Sequence, residues 1–287
     1  MVDFTVKNQN LINFLTKSSA KGIVSVSNTE KISATFFNKF LLEAIDDRLE
    51  VKALDTQGGT MWAWHTLKGV EVNKNGTFAV TDADLLLELL KSIGGSRMIN
   101  FVYKKDEPLT IFTMDEGSFK GFELRDWVTM TPKEMEDYTS NVIAFIEAHS
   151  FNEDNIPIIG KDEKVGTYST ILRLKKSDLL GVVIQTIKLT KDQYVLVNMD
   201  EEGNVIFKSG KANANIKAKD IFHKVTDNPI VFEQRFGNLQ PIIPHLFDSI
   251  VIYMRKASDG NMKWWIRSKA DSIELNFVTG AARAPQK

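Results

Sequence analysis

The order of elements in this chain is written twice: a strand, a helix, several strands, a second helix and a closing meander run from Phe4 to Arg125 and recur from Thr170 to Thr279. A repeat of about 120 residues is too long for a solenoid unit, so each copy is expected to be a whole domain with its own core. The 287 residues suffice for two such cores. Residues 1–126 and 167–287 are expected to be the two domains, with 127–166 as the connector. No catalytic motif accompanies the repeat, which points to a scaffold that other molecules bind.

Periodicity lays the halves side by side and predicts an α+β fold of antiparallel sheets. In the first half, Phe4–Lys7 reads as a strand and Asn8–Ala20 as a helix, with Leu11, Phe14 and Leu15 on one stripe and Asn10, Asn13, Lys17 and Lys21 on the other. An irregular stretch follows. Arg48–Leu54, Met61–Leu67 and Thr77–Thr81 then read as strands, and Asp82–Ile93 as a helix stopped by Gly94-Gly95. Met98–Lys104, Leu109–Met114 and Phe119–Leu124 form the meander. In the second half Ser169–Leu174 is a strand and Lys175–Leu189 a helix, followed by strands Gln193–Asn198, Asn204–Ser209, Asn213–Ala218 and Ile230–Gln234. Glu202-Gly203-Asn204 marks a hairpin turn. A helical stretch at Asn238–Phe247 contains Pro244, which is expected to distort it. Ser249–Lys256, Met262–Ser268 and Ser272–Val278 close the second meander.

Charge and composition remove several function classes. The net charge is −1, so a nucleic-acid surface has to come from local segregation of charge. Lys outnumbers Arg among the 36 basic residues, which suits loose point-charge contacts better than bidentate base reading. There is no cysteine, hence no disulfide or thiolate metal site, and no signal peptide or long apolar run; an intracellular protein without a membrane partner is the expectation. His65, His149, His223 and His245 lack metal-ligand spacing and read as surface or satisfied core residues. Gly58-Gly59 and Gly94-Gly95 are turn and helix-stop glycines with no phosphate-loop pattern. Asp46-Asp47 and Asp55 read as solvated loop acids rather than a metal nuclease. Neither an enzyme nor a cofactor is expected. Trp264-Trp265 would face opposite sides of a strand, one in the core and one exposed for stacking on single-stranded bases.

The residues resemble the DNA polymerase sliding clamps of the proliferating cell nuclear antigen type. The similarity is clearest in Glu202–Lys219, EGNVIFKSGKANANIKAK, and continues through Arg48–Trp64, RLEVKALDTQGGTMWAW, through Asp82–Gly94, and through Ile273–Pro285 at the chain end. Two stretches depart: Lys21–Leu42 is differently arranged, and the connector, with an expected helix at Pro132–Ala148, exceeds the family's simple crossing loop. The resemblance implies two clamp-type domains, each with two helices on antiparallel sheets. It further implies three chains joined head to tail as a homotrimeric ring around duplex DNA, opened by a separate clamp loader.

The sites follow from that resemblance. DNA-facing lysines are expected at Lys17, Lys21, Lys91, Lys188 and Lys191, with Lys175, Lys176, Lys211, Lys217 and Lys219 as additions, contacting phosphates without regard to sequence. Glu88, Gly181 and Gln185 stand where the resemblance leads one to expect basic residues, so the hole is less positive. An apolar pocket for DNA polymerase and other replication proteins is expected between Asp55, Thr56, Gln57, Gly58 and Gly59, the connector residues Trp127, Val128, Thr129 and Met130, and Gly280, Ala281, Ala282, Arg283, Ala284 and Pro285. Val142, Ile143, Phe145 and Ile146 form an apolar surface by which the connector helix could cover that pocket. The edge strands joining subunits are expected at Phe119–Leu124, including Phe122, and at Val205–Ser209, including Ile206 and Phe207. Two other readings stay open: a clamp-like subunit that holds DNA as a monomer or dimer, and a clamp-fold scaffold without a DNA role.

Overall fold

The computed structural model describes residues 1–26, 31–55, 61–104, 107–115, 118–124, 132–151, 157–159, 170–181, 194–199, 204–209, 212–217, 220–223, 231–235, 239, 241–256 and 262–283. Strand β1 (Val2–Lys7) buries Val2, Phe4 and Val6 and runs directly into α1 (Asn8–Ser19). Leu11, Ile12, Phe14 and Leu15 place the apolar stripe of α1 in the core. No side chain caps its start; the Asn8 and Gln9 N–H groups donate to Arg97 O (2.8 Å) and Gly95 O (2.9 Å). Those acceptors lie just beyond α2 (Ala83–Ile93), which starts at Asp82, whose carboxylate accepts from Leu85 N at 3.1 Å. It stops at Gly94, where φ is 95°, a backbone state that L side chains avoid. The buried Asn8 amide donates to Leu90 O (2.7 Å) and Gly94 O (3.1 Å), tying the start of α1 to the end of α2. At the other end Lys21 pairs with Asp84, so the two helices lie antiparallel.

The first-half strands are β2 (Lys21–Val26), β3 (Lys31–Thr35), β4 (Phe40–Ile45), β5 (Arg48–Leu54), β6 (Met61–Lys68), β7 (Glu71–Lys74) and β8 (Gly76–Val80), with β9 (Met98–Tyr103), β10 (Leu109–Asp115) and β11 (Ser118–Leu124) after α2. The connector holds α3 (Pro132–Glu147) and a hairpin of β12 (His149–Phe151) and β13 (Pro157–Ile159). In the second half β14 (Thr170–Lys175) leads into helix at 176–181. Then come β15 (Tyr194–Met199), β16 (Asn204–Ser209), β17 (Ala212–Lys217), β18 (Asp220–His223) and β19 (Val231–Arg235). The closing meander is β20 (Ser249–Lys256), β21 (Met262–Ala270) and β22 (Ile273–Arg283).

The sequence repeat is a repeat of topology. The first five-stranded sheet runs β11-β10-β9-β1-β7, and the order β22-β21-β20-β14-β18 reproduces it strand for strand in the second half. Likewise β8-β4-β5-β6 has its counterpart in β19-β15-β16-β17. The halves join where β6 pairs antiparallel with β22, from Met61 opposite Thr279 to Leu67 opposite Ile273. This pairing fuses both halves into a sheet of 13 strands, whose inner face carries Leu275, Phe277, Trp264 and Ile266 against the core that α1 and α2 complete.

Four expectations need correction. The irregular stretch after α1 contains the β2–β3 hairpin and all of β4, and β7, β12, β13 and β18 are further strands that periodicity alone did not indicate. The helix expected over Asn238–Phe247 is, among the described residues, only a 3₁₀ turn at Ile243–His245, because Pro244 removes a backbone donor and Pro241 precedes it. Strand β16 is an interior strand between β15 and β17, so among the described residues the terminal strand on that side is β17 and not Val205–Ser209, and β11 is the terminal strand of its sheet. Trp264 and Trp265 face opposite sides, yet both are buried, at 1% and 3% exposure. The stacking platform expected of one of them is therefore absent.

Candidate DNA-facing helices and outer docking surface

The solvent face of α1 and α2 carries Gln9, Asn10, Asn13, Leu85, Glu88, Lys91 and Ser92, an amide-rich surface with few charges. Lys91 is exposed there, and Lys175 is exposed at the end of β14. Lys21 is exposed but held at 3.1 Å from Asp84, which also accepts from the Thr35 hydroxyl at 2.7 Å. Burial pushes the Asp84 carboxyl up, and the Thr35 and Lys21 donors outweigh it, so it stays below the usual carboxylate range.

Lys17 sits differently from the position that helical periodicity assigns it. The turn at 243–248 crosses the end of α1, so the Lys17 ammonium is half-buried, donates to His245 O at 2.9 Å and lies 4.4 Å from the centre of the Phe247 ring. Burial, helped by repulsion from Lys176, lowers its pKa. Lys176 donates to Leu246 O at 2.9 Å, and the His245 Nε2–H donates to Lys21 O at 2.8 Å. The Lys17 and His245 bonds stitch the end of α1 and the start of β2 to the 243–248 turn of the second half, and the Lys176 bond ties that turn to its own half, beside a cleft of about 340 Å³. Lys17 is thus committed to holding the halves together, and Lys176 to holding the 243–248 turn within its own half. Lys217 lies on β17; Lys188, Lys191, Lys211 and Lys219 lie outside the described residues.

On the opposite, outer face of the sheet, strand alternation exposes Trp62 and Trp64 from β6, Trp265 from β21 and Val278 from β22. They are covered by the connector. Phe145 of α3 stacks on Trp62 with ring centres 4.0 Å apart, Val142 and Ile146 are buried, and Phe151 of β12 lies 5.2 Å from Trp265. The Trp265 indole N–H donates to Asn276 Oδ1 at 2.9 Å, so its polar edge is satisfied within the cover. Tyr138 of α3 accepts from Leu54 N at 2.9 Å and donates to Lys39 O at 3.0 Å; burial raises its pKa. Neither Tyr138 nor Trp62 was singled out from sequence, although tryptophans at alternate positions of MWAWHTL are the signal for an aromatic outer face.

The predicted partner residues divide. Asp55 is buried and closes the β5–β6 loop: its N–H donates to Met61 O at 2.9 Å and its carboxylate accepts from Met61 N at 2.6 Å. Gly280, Ala281, Ala282 and Arg283 belong to β22, with Ala282 opposite both Met262 and Gln234, so the chain end continues the sheet up to Arg283. Thr56, Gln57, Gly58, Gly59, Trp127, Val128, Thr129, Met130, Ala284 and Pro285 lie outside the described residues. Among the described residues no group of His, Asp and Glu is placed to hold a metal, and no helix is long and apolar enough to cross a membrane.

No protein-family model and no curated protein matches the chain by sequence. Solved structures do match it by shape. The proliferating cellular nuclear antigen of Entamoeba histolytica superposes with a TM-score of 0.63 at 12% identity, over 97% of this chain and 98% of that one. PCNA from Thermococcus kodakaraensis superposes with a TM-score of 0.60 at 14% identity, over 99% of this chain and all of the other. Correspondence across nearly the whole length of both, in a chain whose strand order repeats between its halves, shows that this protein has the PCNA-type sliding-clamp fold.

Proposed function

We propose that this protein is a DNA sliding clamp: residues 1–126 and 167–287 form the two clamp domains of each chain, and three chains close head to tail around duplex DNA to tether a polymerase. One observation carries the reading. The β6–β22 joint inside the chain has a repeat-related counterpart in β17 and β11, and those two strands end their sheets without a strand partner on the outer side among the described residues. Pairing β17 of one chain with β11 of the next copies the internal joint between molecules, and repeating one operation closes a ring. Helices α1 and α2 would then line the hole. Their neutral, amide-rich face suits a tether whose persistence comes from topology rather than adhesion, with Lys91 and Lys175 supplying weak phosphate contacts.

Topology is tested with linear duplex DNA, onto whose free ends a ring can thread without a loader. When both ends are then blocked by bulky protein, a high-salt wash is expected to leave at least ten times more of this protein on the DNA than when the ends are free. Equal loss from both would remove encirclement and leave a monomeric or dimeric processivity subunit as the better reading. Lys91→Glu with Lys175→Glu is expected to reduce threading while leaving the fold intact, because exposed charges contribute little to stability. Lys17→Glu is the wrong probe, since it breaks the contacts to His245 and Phe247.

A further inference from the structure

The cover on the outer sheet face has the form of a bound ligand. Tyr138, Val142, Phe145 and Ile146 recur at i, i+4, i+7 and i+8 along α3, the spacing by which an amphipathic helix fills an apolar groove. Two of the anchors meet a defined receptor. The Tyr138 hydroxyl bridges Leu54 N at the end of β5 and Lys39 O just before β4, and Phe145 lies on Trp62. Val142 and Ile146 are buried but stand outside the continuous core that binds α1 and α2 to the sheet. The β4-β5-β6-β22 ladder is complete without α3, so the helix can leave without opening that core.

We infer that the outer face beneath α3 is a docking groove for a helical partner peptide bearing a tyrosine and aromatic and aliphatic anchors, and that α3 is its resident occupant, displaced when such a partner binds. This rests on the proposed role of the protein as a recruiting clamp. A tethered occupant acts at high effective concentration, so partners are admitted only when they outbind α3 or when α3 is released. The polar recognition element is the pair of backbone groups that Tyr138 satisfies; a ligand without a hydroxyl there gives up a hydrogen bond to the part-buried Leu54 N–H.

The probe is a fluorescent synthetic peptide of residues 132–148, applied to the full chain. In the Val142→Asp, Phe145→Asp variant two carboxylates destroy the resident anchors, and the peptide is expected to bind at least tenfold tighter than to the wild-type chain. A peptide carrying Tyr138→Phe should bind roughly 2- to 10-fold more weakly than the parent peptide, the net worth of a neutral hydrogen bond. Equal binding of the parent peptide to wild type and to a folded variant, or none to either, overturns the inference. Should the variant fail to fold, hydrogen exchange on the wild-type chain decides: α3 amides are expected to exchange at least a hundredfold faster than those of β5 and β6. Exchange of all three at one common rate makes α3 part of the core and overturns the inference. Neither measurement uses DNA or a polymerase, so failure of the clamp reading would show separately, as equal loss from blocked and free ends.

Discussion

A proline on the outward-bonding side of β17 is expected to reduce the oligomer to single chains while each chain stays folded. Successive residues of a strand point their N–H groups to opposite sides, so of Ala214→Pro and Asn215→Pro one removes a bond to β16 and the other an outward donor. The outward one spares the β16–β17 hairpin and damages only the joint with the next copy. Loss of one ladder bond, together with the acceptor it strands, costs about 2–4 kcal/mol per joint, roughly 30- to 1000-fold in affinity. Light scattering across a dilution series should show the wild-type chain at three chain masses and the outward variant at one, with unchanged circular dichroism. Unchanged mass in both variants, or a wild-type chain monomeric at every concentration, would sink the head-to-tail ring. The corresponding substitution at Ile206 on β16 is a poorer test, because that strand is hydrogen-bonded on both sides within the chain.

The difference between β16 and β17 shows where sequence reasoning ends. Alternation and the turn at Glu202-Gly203-Asn204 specify a β15–β16 hairpin, and the structure has it. Which strand then lies outermost depends on partner choice across the whole sheet, and periodicity carries no information on that. Short strands such as β7 and β18, of 4 residues each, are too brief to show alternation above noise. Helices α1 and α2 were legible because a stripe of Leu, Ile and Phe, the Asp82 cap and the Gly94 stop all agree. Lys17 was misread for a different reason: a helical wheel reports the polar face but not the segment that crosses it. The 243–248 turn, which Pro241 and Pro244 keep from becoming a full helix, is that segment. The second buried tryptophan has the same cause, since Trp265 faces outward as expected and is covered by the connector hairpin.

The joint between the halves also carries an acid-labile group, His65 on β6. It is fully buried, rests its ring 4.6 Å from that of Phe277, and accepts from Asn276 N at 3.1 Å through Nδ1. That bond places the proton of the neutral ring on Nε2, which has no hydrogen-bond partner among the described residues. Burial lowers its pKa from 6.5 to about 3. The folded state therefore binds fewer protons than the unfolded chain at mildly acid pH. The stability this group permits is complete above pH 6.5 and is lost progressively as pH falls from 6.5 toward 3. At pH 5 the loss amounts to roughly 2 kcal/mol, and at the lower end of the window to more than twice that. His149, lowered to about 4 chiefly by burial against the aromatic cover, adds its own loss between pH 6.5 and 4 and so steepens the upper part of the curve. Urea unfolding at pH 7 and pH 5 should show this difference in the wild-type chain. His65→Leu is expected to be less stable at pH 7, because it strands the Asn276 N–H, yet to lose less on acidification by about 2 kcal/mol. An equal acid loss in both chains would mean that His65 is solvated or protonated in the folded state. Because His65 sits on the strand pair that fuses the halves, acid should loosen the β6–β22 joint before it melts the helices, and exchange of β6 amides at pH 5 would register that order.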